Sequence, residues 1–236
     1  SSAIKSLNTI LKKHPNFIKA HLLAGSIKQK NNDYKGAKIH FSKVTTALPH
    51  SLHAWQNLAT ASSLQSGNLI DARNVIIKAL KVNPKNPQLM FELAQIYYAE
   101  KLIDVAITQY KNIIHLHPNF VPAIDNLASL LFDHEIENGL AEKLAYRAYQ
   151  LRREDPFIKI LYGRSLTQKG KYIAAIDLLK LAADKITNNG TANYYLGLAL
   201  IANKQPKQAK VELELALHKG VDIKIEKSIK GELIKL

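Results

Sequence analysis

Cysteine is missing altogether from this 236-residue sequence, and methionine and tryptophan occur once each. Without thiols there is no disulfide and no thiolate metal site. Long apolar runs are missing too: nothing approaches the stretch of about 18 apolar residues that a membrane-spanning helix needs. No signal-peptide pattern is visible. The phosphate-cradling loops GxxxxGK and GxGxxG do not occur, nor do HExxH or GxSxG, so the common marks of nucleotide binding, zinc proteolysis and serine hydrolysis are absent. Acidic residues are scarce, with 19 Asp and Glu against 33 Lys and Arg, for a formal net charge of +14.

What the chain does have is a repeat. In Pro87 to Phe120, Leu89, Met90, Leu93, Ala94 and Tyr97 recur at the three-and-four spacing of one helix face. The pattern breaks at Lys101 to Ile103, and Val105, Ala106, Gln109, Tyr110 and Ile113 then begin a second face. Pro118 closes the unit, since a helix seldom runs through proline. Related units follow at 18–51, 52–86, 121–155, 156–189 and 190–220, each with a small residue in its first helix and an alanine in its second. Residues 1–17 read as the second helix of a preceding unit, so the phase implies that the chain starts inside a repeat. Residues 221–236 read as a capping helix, with Lys224, Glu226, Lys227 and Lys230 on its wet side. The repeats together predict one continuous domain.

The period of about 34 residues, the large–small pair of the first helix and the alanine–aromatic–alanine pattern of the second resemble the tetratricopeptide repeat (TPR) family. The resemblance spans nearly all of the chain. It implies an all-α fold, a right-handed superhelical solenoid of about six TPR helix pairs with a C-terminal capping helix. It also implies a concave groove lined by the fifth, ninth and twelfth residues of each first helix. Carried onto this sequence, those positions yield the candidate protein-binding residues Gln56, Thr60, Phe91, Gln95, Tyr98, Asp125, Ser129, Phe132, Arg164 and Tyr194. Phe91, Tyr98, Phe132 and Tyr194 are expected as exposed rings beside hydrogen-bonding groups, the kind of surface a peptide or sugar groove uses. Family members that grip a chaperone C-terminus use lysine at the fifth position and asparagine at the ninth. No pair here matches, which argues against that role.

The last third, from DPFIKILYGRSLTQKGKYIAAIDLLKLAADKI to YYLGLALIANKQPKQAKVELELALHKG, is similar to the closing repeats of bacterial envelope TPR proteins of exopolysaccharide and PEP-CTERM systems. The implied function is a non-catalytic protein–protein scaffold in a bacterial envelope assembly for polysaccharide production or export. The periplasmic side is the expected location, with the cytoplasm as the alternative. Two other functions stay open: direct binding of an anionic polysaccharide or other polyanion, and the non-catalytic arm of a larger enzyme.

Charge is unevenly spread. Residues 1–50 carry nine lysines and a single acid, Asp33, whereas residues 101–150 carry four basic and six acidic side chains. Basic ends attract polyanions, but they do not interleave with stacking aromatics, so no nucleic acid partner is expected. Nine histidines are present, with His14 and His21, His50 and His53, and His115 and His117 as the near pairs. None has metal-ligand spacing, and all read as surface or turn residues. Asp133, Glu135 and Glu137 read as a charged turn. No cofactor, metal or catalytic residue is expected.

Overall fold

The computed structural model describes residues 2–236, as fourteen α-helices with no strand among them. They form two compact units. The first ends at Pro118 and the second runs from Asn119 to Leu236. The first unit holds α1 (Ser2–Lys13), α2 (Ile18–Lys30), α3 (Tyr34–Ala47), α4 (Leu52–Ser66), α5 (Leu69–Val82), α6 (Pro87–Ala99) and α7 (Ile103–Leu116). The second holds α8 (Val121–Asp133), α9 (Asn138–Leu151), α10 (Pro156–Gln168), α11 (Tyr172–Lys185), α12 (Thr191–Ala202), α13 (Pro206–Lys219) and α14 (Ile223–Lys235).

Local chemistry sets the ends of these helices. Proline opens α6 and α10 at a position where its missing N–H costs nothing, and the preceding Asn86 and Asp155 accept backbone N–H bonds as caps. Asp33 caps α3 and Asp222 caps α14, each receiving an N–H bond at 2.9 Å. The turn inside each pair contains a residue in left-handed backbone at a recurring place, Asn32, Gly67, Lys101, Glu135, Gly170 and Lys204, and the longer turn before α9 adds Glu137. The spacing of 34 or 35 residues between the recurring six repeats the period of the side-chain pattern in the backbone itself. Such short turns return the chain antiparallel to the helix it has just left.

Packing runs between neighbours in sequence, as in a repeat array. In the first unit, Ala37, Phe41, Leu58, Ala59, Ile76, Ala79 and Leu89 form a core across α3 to α6. In the second, Ile160, Ala175, Leu179, Ala182, Leu196 and Leu200 do the same across α10 to α12. The small residues are needed for closeness: a Cβ on Gly25 would lie 2.6 Å from the Phe41 ring, and one on Gly163 would lie 2.6 Å from Leu179. First helices also touch first helices, α8 to α10 and α10 to α12. The last helix, α14, continues this series by packing on both α12 and α13. Ile229 is its fully buried residue, while Ile223 and Ile234 stand in solvent.

Two expectations need correction. Phe91 is only 9% exposed and Phe132 only 2%, so neither is an exposed ring. Phe91 packs toward Tyr110 of α7, with ring centroids 5.9 Å apart. His21 is also not a surface residue. It is 2% exposed, its Nε2 meets the Pro15 carbonyl at 2.8 Å, and its Nδ1 lies 2.9 Å from Nδ1 of His40 on α3. A carbonyl only accepts, so Nε2 of His21 donates; in the neutral ring its Nδ1 then accepts from His40. Burial, and then the neighbouring His21, hold His40 below the usual histidine range.

Candidate functional site

In the first unit the inner stripe is only partly free. Gln56 on α4 donates to the Glu92 carboxylate on α6, and Gln88 donates to the same oxygen at 3.3 Å. Thr60, Gln95 and Tyr98 are exposed, Tyr98 at 46%.

The second unit is different. A cavity of about 380 Å³ opens between α8, α10, α12 and α14, and three of the expected groove residues line it: Phe132, Arg164 and Tyr194. Arg164 is at its centre. Its Nη1 donates to Asp133 Oδ1 at 2.6 Å and to the Tyr195 hydroxyl at 3.1 Å. The guanidinium also lies over two rings, 5.1 Å from the centroid of Phe132 and 5.3 Å from that of Tyr195. The guanidinium plane is thus fixed by a carboxylate, a phenol and two aromatic faces, an arrangement lysine could not reproduce. Phe132 is therefore the floor of the pocket rather than an exposed wall.

Tyr194 and Tyr195 form the next wall, with centroids 4.9 Å apart. The Tyr194 hydroxyl pairs with Ser228 Oγ of α14 at 2.9 Å, which ties the last helix to the pocket. Burial, only partly countered by Arg164, pushes the Tyr195 phenol up to about 12, so it stays protonated and remains a donor near neutral pH. Leu198 and Ile225 supply apolar surface, and Glu135, Asp222 and Lys224 stand among the remaining lining residues.

Asp125 and Ser129 lie on α8 of the same unit but do not line this cavity. Asp125 is pushed up to about 6, first by burial and then by the Asp155 carboxylate, against a weaker opposing hydrogen bond from Ser129. It is the one carboxylate among the expected site residues, and its neighbours are the Ser129 hydroxyl and the Asp155 carboxylate.

Sequence reasoning missed Tyr195, Asp133 and Ser228 as members of the site. Tyr195 sits beside a stripe position rather than on it. Asp133, read as part of a charged turn, is 31 positions from Arg164, close to one repeat, and that spacing is the signal that could have joined them. No group of three or more His, Asp and Glu able to hold a metal occurs among the described residues. No helix among them is long and apolar enough to cross a membrane.

Residues 63–131 match the tetratricopeptide repeat family. Solved structures agree along almost the whole length. A chain of the APC/C hetero-tetramer Cut9–Hcn1 superposes with a TM-score of 0.70 at 19% identity, over 96% of this chain and 45% of that one. The chain thus spans under half the length of that relative. PilF of Pseudomonas aeruginosa superposes at 0.68 with 16% identity, covering 91% of this chain and 97% of its own. YrrB, described as a TPR protein with an unusual peptide-binding site, superposes at 0.58 with 17% identity, covering 81% and 97%. No curated protein sequence matches the chain significantly. The fold is that of the tetratricopeptide repeat proteins, and residues 63–131 carry the repeat in sequence as well.

Proposed function

We propose that this chain is a non-catalytic binding scaffold that holds an extended segment of a partner protein against the inner faces of its first helices. The observation that carries the reading is the Arg164 pocket. A cation fixed by Asp133, Tyr195 and two rings is preorganised, and preorganisation reduces the ordering cost of binding. The fold supports the same conclusion, since stacked helix pairs offer an extended inner surface. The structurally similar YrrB has a peptide-binding site by its own description.

The proposed setting is a bacterial envelope assembly that makes or exports a polysaccharide, on the periplasmic side. It rests on the resemblance of residues 156–220 to the closing repeats of such proteins. The competing reading is direct capture of a polyanion, favoured by the nine lysines and single acid of residues 1–50.

Envelope extract passed over the immobilised protein at low and high salt separates the two. The scaffold reading expects a protein retained at high salt by wild type and lost from Arg164→Ala, with the thermal melt of the variant still cooperative. Retention of carbohydrate alone, released by salt and indifferent to Arg164→Ala, would transfer the function to the basic surface.

A further inference from the structure

The pocket of the second unit also shows what part of a partner it accepts, an inference that rests on the scaffold reading above. We infer that it takes an internal stretch of chain, through a neutral main-chain carbonyl and an adjacent apolar side chain, rather than a chain terminus or a charged side chain. Three observations lead there.

The first is the balance of charge. Two cations, Arg164 and Lys224, share the cavity with three carboxylates, Asp133, Glu135 and Asp222. Asp133 neutralises Arg164 at 2.6 Å, and Asp222 is occupied in capping α14. A ligand carboxylate would meet three like charges, and a ligand cation would meet two. Either would also lose hydration on entry, and the one opposite charge it could meet, Lys224 or Glu135, has like charges beside it.

The second is an excess of donors. Nη1 of Arg164 is used twice, but among the described residues no acceptor is bonded to its Nη2 or Nε. The Tyr195 oxygen accepts from Arg164, which leaves the phenol hydrogen to donate, and no described residue receives it. Donors to spare beside a neutralised ion pair suit a carbonyl oxygen.

The third is shape and lining. A volume of about 380 Å³ lies within the range typical of small ligand sites, about 300–1,000 Å³. Leu198, Ile225 and Phe132 add apolar surface to its lining. An extended backbone places a carbonyl and the next side chain on neighbouring directions, which suits a lining that holds both donors and apolar groups.

Three small probes that share a leucine side chain and differ in which end is blocked, and so in charge, test this. They are N-acetyl-leucine N′-methylamide (neutral), N-acetyl-leucine (anionic) and leucine N′-methylamide (cationic), at a pH below the α-amino pKa of about 7.7–8.0. The readout is nuclear magnetic resonance titration of the whole chain, following Arg164 Nε–H and the backbone amides of Tyr195 and Ser228. The neutral probe is expected to bind about tenfold tighter than either charged one, the scale of one lost hydrogen bond. Tyr195→Phe, which keeps the ring, should weaken the neutral probe by about the same factor. Asp133→Asn frees the Arg164 charge and should turn the preference toward N-acetyl-leucine. A wild-type preference for a charged probe, or an Asp133→Asn preference identical to wild type, would overturn this inference and leave the groove standing. Silence at the pocket with all three probes would overturn the pocket as a binding site, and the scaffold reading built on it.

Discussion

Asp125 shows how one side chain can set a pH dependence. Its carboxyl is raised from 3.8 in an open chain to about 6 in the fold, chiefly by burial. The folded state therefore holds the proton more tightly than the unfolded state. Its stabilising contribution is complete below pH 4 and is lost as pH rises through 6. Asp125→Asn should flatten this dependence, gaining about 3 kcal/mol at pH 7 and little at pH 4. Urea unfolding at several pH values measures it. At the same scale, Phe132 and Tyr98 have opposite roles despite equivalent sequence positions. Phe132→Ala empties a buried site and should cost about 3–5 kcal/mol. Tyr98→Ala, at 46% exposure, should cost under about 1 kcal/mol. Equal losses in a denaturant melt would contradict the assigned floor and rim.

At the scale of the element, the pair-closing turns store a small, repeated strain. Asn32, Lys101, Glu135 and Lys204 adopt left-handed backbone that Gly67 and Gly170 adopt without a Cβ penalty. For an ordinary residue that conformation costs about 1–2 kcal/mol. Lys204→Gly should therefore stabilise the second unit by about 1 kcal/mol, the relief being offset in part by the freer unfolded chain. Lys204→Ala should give no such gain, which makes the pair a clean thermal-melt comparison. The last helix is the other element of interest. The expected capping helix, α14, takes the place of a further first helix and brings Ser228 and Ile225 to the pocket. Its amphipathic pattern is visible in sequence, but the neighbour it meets is not.

At the scale of the whole molecule, charge and groove make separable contributions. A net charge of +14, with eight of those charges in the first 50 residues, gives a general attraction for polyanions. Surface attraction of this kind is screened over about 8 Å at physiological salt. Binding of a sulfated polysaccharide such as heparin should fall steeply between low and high salt and be unaffected by Arg164→Ala. Binding in the neutralised pocket should change little with salt and be lost in that variant. Isothermal titration across a salt series separates the two, and equal salt slopes would show that the pocket adds nothing to the charged surface.

The sequence by itself determined the repeat, its phase and the all-α fold. Those follow from spacing: small residues at crossings, proline and asparagine or aspartate at helix starts, and a turn every 34 or 35 residues. It also placed Phe132, Arg164 and Tyr194 each on the same stripe of its own helix, because the i, i+4, i+7 geometry holds in any helix. Only the tertiary structure decided which of those side chains are free. Phe91 and Phe132 occupy stripe positions like Tyr98, yet neighbouring helices cover the first two and leave the third open. It alone brought Asp133 and Tyr195 to Arg164 and Ser228 to Tyr194, each across about one repeat. The physical reason is range. Periodicity reports the face a residue occupies on its own helix, whereas burial, ion pairing and a displaced carboxyl depend on what the next helix brings within a few ångströms.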